Sequence, residues 1–423
     1  RHLCLAHDQN ADVAWIRQLE CLPDKTNKDG TPAGGGGLKP SIDNMALVLQ
    51  NDPRWRDLLY WDEMAYDIGM NRLPAWPSIA LNFTPEAQRL QWVEDDFSRM
   101  RLWFKGSEYA FEPKIEQEII IATLLTAKRH PIHPVRRYLQ SLQWDGVPRL
   151  YKMLATWFGC DVSKFASNAG RVWMIAAVAR VLKPGEKADI CLIFDGDGGL
   201  GKSTAPMCLL PNQAWGFDSP LPLHSKEGLE NLRGIWFIEL PELDKQDAVQ
   251  RTHTKAFLTS RVDKYRPSYG KRVMAFPRMC ICYATTNGSH FLHDDSGNRR
   301  YLTVSVKRKI DFKAIEAVRD QLWAEAVHLY KSGVTWLLTD EEENEAKEER
   351  AQRTMFHPWN EIIYRKIIGN DAPDIKELGY ITMSDVLEKL LGIDVKDMKS
   401  YGAGMSAIIM GSMKNCGWYS KRR

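Results

Sequence analysis

The sequence lacks any long hydrophobic run. Apolar stretches such as Ile119–Ala122 and Trp236–Ile238 fall far short of the roughly 20 residues a membrane-spanning helix needs, so a membrane protein is not expected. It lacks a Cys-x-x-Cys pair: the eight cysteines stand at 4, 21, 160, 191, 208, 280, 282 and 416. Cys280 and Cys282 lie in an apolar run, where a strand sends them to opposite faces, so reduced thiols in a reducing compartment are expected. It lacks an excess of one charge, with 57 basic against 54 acidic residues, so only local clusters can argue for a polyanionic partner. The start, Arg1-His2-Leu3-Cys4, has neither an initiator Met nor a signal-peptide core, which points to a cytoplasmic protein and to a piece of a longer chain. With 44% hydrophobic and 26% charged residues, wholesale disorder, collagen and coiled coil are excluded.

What is present suggests two or three domains in 423 residues. Asp24–Pro40 reads as loop, with Gly34–Gly37 as a hairpin tip, and no Lys-Ser/Thr follows those glycines. Helix is expected from Ser41 through Trp55–Leu59, over Asn82–Arg101, over Ile115–Thr126 as a buried helix, and after His133-Pro134. A turn-rich hinge at Trp144–Arg149 precedes a helical block, Leu150–Leu182. Short apolar strands then alternate with helices at Ile190–Phe194, Ile235–Leu240, Met279–Thr285 and Tyr301–Val306, which predicts a mostly parallel α/β sheet. Residues 311–333 read as an amphipathic helix. Residues 340–353, with seven acids and three bases, read as a solvated one. The last stretch reads as three short helices, a small β element at Gly417-Trp418-Tyr419 and a basic tail, the pattern of a winged helix. The expected divisions are a mainly helical region 1–145, an α/β core 146–310, a helical connector 311–356 and a winged-helix-like unit 357–423.

The strongest motif runs from Gly196 to Ser203 and fits GxxxxGK[ST] behind the apolar strand Cys191-Leu192-Ile193-Phe194. Gly196, Gly198, Gly199 and Gly201 let backbone amides converge on phosphate oxygens. A helix starting near Thr204 is expected to add its N-terminal amides. Lys202 is placed to reach the β- and γ-phosphates and the Ser203 hydroxyl to bind Mg²⁺. Pro206 falls near the start of that helix and removes one amide.

The motif alone leaves the reaction open, and three partners narrow it. Ile235–Leu240 ends in acids, so Glu239 and Glu242 are the candidates for the Mg²⁺ shell and for polarising water. Cys282–Thr286 ends at Asn287, placed to orient a water beside the γ-phosphate. Between these strands, residues 261–278 hold Arg261, Lys264, Tyr265, Arg266, Tyr269, Lys271, Arg272 and Arg278, with Asp263 the only acid of that stretch. A hairpin presenting Arg266, Tyr269, Lys271 and Arg272 combines charge for phosphates with a ring for bases, as single-strand nucleic-acid channels do. Finally Ser296-Gly297-Asn298-Arg299-Arg300-Tyr301 offers paired arginines on a glycine turn, suited to an arginine finger for a neighbouring subunit.

The set formed by Gly196–Thr204, Trp236–Leu243, Lys255–Leu258 with Arg261-Val262-Asp263 and Arg266, Ala284–Asn287 and Gly297–Tyr301 resembles the virulence-associated protein E family, over roughly residues 130–310. The resemblance implies a P-loop NTPase core of AAA+/superfamily-3 helicase type. It implies a hexameric ATPase that uses ATP and Mg²⁺ and translocates on DNA, single-stranded by expectation, during replication of a phage or genomic island in a bacterial cytoplasm, with a primase as partner or fused domain. It makes Lys202 and Ser203 the phosphate and Mg²⁺ ligands, Glu239 the carboxylate acting on Mg²⁺ and water, Asn287 the γ-phosphate sensor, Arg299 or Arg300 the finger in trans, and Lys271 and Arg272 the pore hairpin. Pro241 between Glu239 and Glu242 leaves the division of labour between the two acids open. Two further readings use the same motif: an ATP-dependent assembly or replication-initiation factor that does not unwind, and a small-molecule phosphotransferase.

Overall fold

The structure is a computed structural model that describes residues 14–21, 38–74, 76, 92–111, 116–219, 222–223, 225–268, 270–287, 298–352, 358–368, 381–394, 409–410, 412–413 and 418. The chain divides into two units: Arg1–Ser141 with Glu230–Ile235, and Leu142–Leu229 with Trp236–Arg423.

In the first unit, α1 (Ile42–Asn51) opens on Ser41, whose hydroxyl accepts the Asn44 N–H at 3.3 Å. It ends at Asp52, with ψ 128°, because Pro53 disfavours the helical conformation in the residue before it. The helix expected to continue through Trp55–Leu59 therefore breaks. The chain turns, and β1 (Leu59–Asp62) pairs antiparallel with β2 (Asp67–Met70) and parallel with β3 (Pro131–Ile132). Tyr60 and Trp61 favour a strand. The Tyr60 ring covers Gly69, where a Cβ would stand 2.2 Å from it. Helices α1, α2 (Glu94–Gly106) and α3 (Glu116–Ala127) contribute to a core with Trp55, Trp92, Trp103, Phe104 and Phe111, and α4 (Pro134–Ser141) follows β3. The expected Asn82–Arg101 helix is seen from Glu94 on; its beginning and Gly34–Gly37 lie outside the described residues.

His133 gives this unit a pH dependence. It is 3% exposed, its Nδ1 accepts the Arg136 N–H at 3.2 Å at the start of α4, and burial, then the Arg136 charge, push its pKa down to about 4. The unfolded chain takes up a proton below about pH 6.5 that the fold refuses. Stability is therefore complete above that pH and falls as pH drops to about 4, by on the order of 3 kcal/mol. Urea unfolding followed by tryptophan fluorescence at pH 7 and pH 4.5 should show this slope in the wild type. It should be flatter in His133→Asn; an equal slope in the two would assign the acid sensitivity elsewhere.

The second unit is built on β4 (Cys191–Asp195), β5 (Gly216–Phe217), β6 (Phe237–Leu240), a hairpin of β7 (Val262–Tyr265) and β8 (Met274–Pro277), then β9 (Ile281–Thr286) and β10 (Tyr301–Ser305). Five strands form one all-parallel sheet in the order β10-β4-β9-β6-β5. β4, β6 and β9 are buried along their whole length, which is why they read as continuous apolar runs. Edge strand β5 has two residues and left no such run.

The helices of this unit begin with α5 (Met153–Thr156) and α6 (Lys164–Leu182), which is buried on nearly every face. The Trp173 indole N–H donates to the Cys282 carbonyl at 2.8 Å and that of Trp236 to the Ala177 carbonyl at 3.2 Å. These two bonds tie α6 to the sheet and satisfy two buried donors. Then follow α7 (Thr204–Met207), α8 (Lys226–Glu230), α9 (Ala248–Thr259), α10 (Phe312–Lys331), α11 (Asp340–Gln352) and α12 (Pro358–Ile368). Glu325 of α10 is buried, and its Oε2 accepts the amides of Arg149 and Leu150 at 2.6 and 3.0 Å. That contact fastens the turn-rich 142–149 segment to α10.

The acidic helix α11 is less solvated than its composition suggests. Ala346 is fully buried, and Glu342 pairs at 2.8 Å with Arg171, a buried cation of α6. Near the C-terminus, Ile363 and Ile367 of α12 cluster with Val386, Leu387, Leu390, Ile409 and Met413. The expected β element at Gly417 and Tyr419 lies outside the described residues.

Candidate functional site

All five parallel strands end at the same edge of the sheet, and ligands of open α/β sheets bind outside that carboxyl edge. β4 delivers the Gly196–Ser203 loop there. Gly196 has φ +149°, and a Cβ on it would stand 2.5 Å from the Val306 carbonyl oxygen. Gly201 has φ +94°, and a Cβ would stand 2.7 Å from the Phe312 ring. Both positions exclude a side chain on steric and conformational grounds. Gly198 and Gly199 are exposed, and a Cβ on either would point into open space, so nothing but the φ of +82° at Gly199 demands glycine there.

Lys202 is 6% exposed. Its ammonium donates to the carbonyls of Gly196 and Asp197 at 2.5 and 2.7 Å and to Asn287 Oδ1 at 2.9 Å. The loop lysine and the amide at the end of β9, 85 residues apart in sequence, therefore meet directly. Glu239 of β6 is 4% exposed. Its Oε1 accepts the Thr285 hydroxyl at 3.0 Å. The Tyr283 hydroxyl stands 3.0 Å from the Ser203 carbonyl oxygen and 3.3 Å from Glu239 Oε2, and its single proton serves one of them at a time. Burial, then the Glu239 charge, raise the Tyr283 pKa, so this hydroxyl stays a donor. Tyr283 and Thr285 had a sequence signal that went unread. They alternate at i and i+2 on the strand beside Glu239, which is paired with Tyr283, so they share one face.

Helix α7, behind the loop, starts at Thr204 as expected but lasts a single turn. Pro206 lies within it and Pro211 disfavours helix at Leu210, so the loop has its own amides but only a short helix and little macrodipole behind it. Glu242 does not join Glu239. Strand β6 stops at Leu240, Pro241 has no amide for the ladder, and Glu242 stands exposed at φ +48°, ion-paired with Lys245. Of the basic stretch, Arg278 is structural rather than displayed. It is buried, forms a two-pronged pair with Asp263 at 2.8 and 2.7 Å, and lies over the Phe257 ring. Tyr265 is buried against Phe276 with ring centroids 4.6 Å apart.

The hairpin itself forms as expected, with Tyr265 opposite Met274, and exposes Arg266, Lys271 and Arg272 at its tip; Tyr269 lies outside the described residues. Val273 and Met274 are exposed beside them. Lys226 of α8 donates to Ser268 Oγ at 3.3 Å and adds an exposed cation that its distance in sequence conceals. Arg299 and Arg300 stand at the other end of the sheet. They precede β10, whose Tyr301 pairs with Cys191 at the start of β4. Ser203 and Thr204 are exposed at the carboxyl edge; Gly297 lies outside the described residues.

A mixed α/β unit with a five-stranded parallel sheet, and a lysine, a carboxylate and a carboxamide gathered at its carboxyl edge, is the class of fold this chain presents. The chain belongs to the virulence-associated protein E-like family, whose domain model matches residues 139–355. It is also similar to solved apo structures of the NrS-1 C-terminal region. One is 11% identical, covers 83% of this chain and 92% of that chain, and has a TM-score of 0.47. A second, spanning residues 305–718 of NrS-1, is 12% identical, with coverages of 83% and 91% and a TM-score of 0.46. No curated protein matches the chain. Among the described residues no helix is long and apolar enough to cross a membrane.

Proposed function

We propose that this protein is a Mg²⁺-dependent ATPase of AAA+/superfamily-3 type that works as a ring, hexameric by expectation, and moves on single-stranded DNA during replication of a phage or genomic island. The observation that carries the reading is the meeting of Lys202 with Asn287 at 2.9 Å, on the sheet edge where Glu239 ends the neighbouring strand.

What supports a bound Mg²⁺–ATP is the donor set. The loop holds two glycines, Gly196 and Gly201, whose positive φ angles and close packing against Val306 and Phe312 shape its backbone, and a buried lysine beside them. Mg²⁺ keeps waters and takes one or two protein ligands beside nucleotide phosphates, so Ser203 and Glu239 suffice. Among the described residues no group of three or more His, Cys, Asp or Glu that could hold a metal occurs, and none is required. Bound there, Mg²⁺ would neutralise phosphate charge. Lys202 would exchange its carbonyl partners for β- and γ-phosphate oxygens. Glu239, oriented by Thr285 and Tyr283, would accept a hydrogen bond from the attacking water, and Asn287 would hold that water or the γ-phosphate. The finger comes from a neighbouring subunit, because Arg299 and Arg300 stand a full strand length, about 16 Å, from their own loop.

The hairpin tip and Lys226 would carry the nucleic acid. Each phosphate contact on a single strand contributes about −0.7 to the slope of log affinity against log salt. Lys271→Ala combined with Arg272→Ala should therefore weaken binding to labelled oligo-dT and flatten that slope by about 1.4. An unchanged slope would remove the hairpin from the interface. The test of the function as a whole is steady-state ATP hydrolysis with and without single-stranded DNA, where stimulation by DNA is expected. Turnover indifferent to DNA would instead favour an assembly factor or a phosphotransferase.

A further inference from the structure

We infer that Asp189 is a positioning residue for the trans-acting arginine: it holds Arg300 within its own subunit, so that Arg299 is the side chain presented to the neighbour. This rests on the ring reading above and goes beyond it by dividing roles within the arginine pair and naming the residue that enforces the division.

Asp189 lies two residues before β4, and the short helical turn Asn298–Arg300 lies directly before β10, the strand paired with β4 in register. The Arg300 guanidinium is 3.9 Å from Asp189 Oδ2, with the two side chains only 16% and 12% exposed. Arg299, its neighbour in the same turn, is exposed. Asp189 also has a second cation near it. Arg180, at the end of α6, is 2% exposed; its Nη2 donates to the Ala188 carbonyl at 3.1 Å, while its Nε and Nη1 have no hydrogen-bond partner. Asp189 is among the groups whose charge acts on Arg180. A nearly buried carboxylate that stands 3.9 Å from one guanidinium and whose charge acts on a second belongs to the interior charge balance of the subunit, and buried charges stay where they are compensated. Arg300 is thereby retained at the sheet edge and the turn is fixed at that point. Asp189→Asn keeps the shape and removes the charge. It leaves Arg180 and Arg300 as like charges and frees the turn to move, and a misplacement of about 1 Å in a catalytic group costs up to about 10²-fold in rate.

The test is complementation in mixed oligomers. Asp189→Asn should lower kcat about 10- to 10²-fold with little change in the KM for ATP. Mixing it with Lys202→Ala, which has no working site of its own but an intact arginine turn, should restore turnover, because the Asp189→Asn sites then receive arginine from the inactive partner. A general folding defect in Asp189→Asn would not be rescued by an inactive protein. Arg300→Gln breaks the same ion pair without touching the surroundings of Arg180, and should behave in the same way should Asp189→Asn fold poorly. Wild-type kcat in both variants, or a defect that Lys202→Ala does not complement, would overturn the assignment. Arg299→Ala run in parallel separates the two levels: if it too goes uncomplemented, the trans-finger reading itself has failed.

Discussion

Lys202→Ala is expected to abolish ATP turnover, with a loss of at least about 10³-fold, the upper end of what removal of a single preorganised donor costs, since here a full charge goes as well. Lys202 is buried and all three of its N–H donors are engaged, two by the carbonyls of its own loop and one by Asn287. No other described cation shares that position, so no neighbour can take over its charge. Lys202→Arg should be almost as inactive: a planar guanidinium does not present three donors from one point, and a buried site shaped for an ammonium has no room for its fork. The loop backbone is shaped by the glycines, so both variants should still fold, but with lowered melting temperatures, because Lys202→Ala leaves the Gly196 and Asp197 carbonyls and Asn287 without their donor and Lys202→Arg crowds a buried site. Steady-state phosphate release, with and without single-stranded DNA, is the measurement. Residual turnover within tenfold of wild type in Lys202→Ala would sink the assignment of the loop as the phosphate site.

The parts of the molecule that the sequence made legible are those where one local rule decides. β4, β6 and β9 are buried on both faces and so are written as apolar runs, and Gly196 and Gly201 stand where backbone angles and close packing exclude any other residue. The misses come where a distant or a short-range competitor wins. Pro53 ended α1 early and released Tyr60 and Trp61 into a strand, although the helical pattern continued through Leu59. Pro206 and Pro211 cut the helix behind the loop to one turn. Pro241 carried Glu242 out of the sheet and left Glu239 as the one of these two acids that stays on the strand. Arg278 looked like part of a cationic surface because composition does not tell which charge meets Asp263 in the interior. The Lys202–Asn287, Tyr283–Glu239 and Lys226–Ser268 contacts join segments dozens of residues apart, and only the strand order brings them together.

Arg299→Ala is expected to lower ATP turnover about 10³- to 10⁵-fold, the range an arginine finger contributes to phosphoryl transfer, while nucleotide affinity falls far less. The argument is one of place. In the parallel register Tyr301 lies beside Cys191 and Ser305 beside Asp195, so the arginines before β10 and the loop after β4 occupy opposite ends of the same two strands. A side chain of about 7 Å cannot cross about 16 Å of strand, so Arg299 does not reach its own subunit's loop, and the proposed finger would act on a neighbour's. That makes the consequence dependent on assembly. Turnover per subunit should rise steeply with wild-type concentration as oligomers form. Arg299→Ala should show no such rise alone but should show it when mixed with Lys202→Ala, each variant supplying what the other lacks. Arg300→Ala should cost less than Arg299→Ala, because Arg300 is engaged by Asp189 within its own subunit. Were Arg300→Ala the more damaging of the two, with Arg299→Ala near wild type, Arg300 would be the finger, and the Asp189 pair would be a resting contact that it leaves to act.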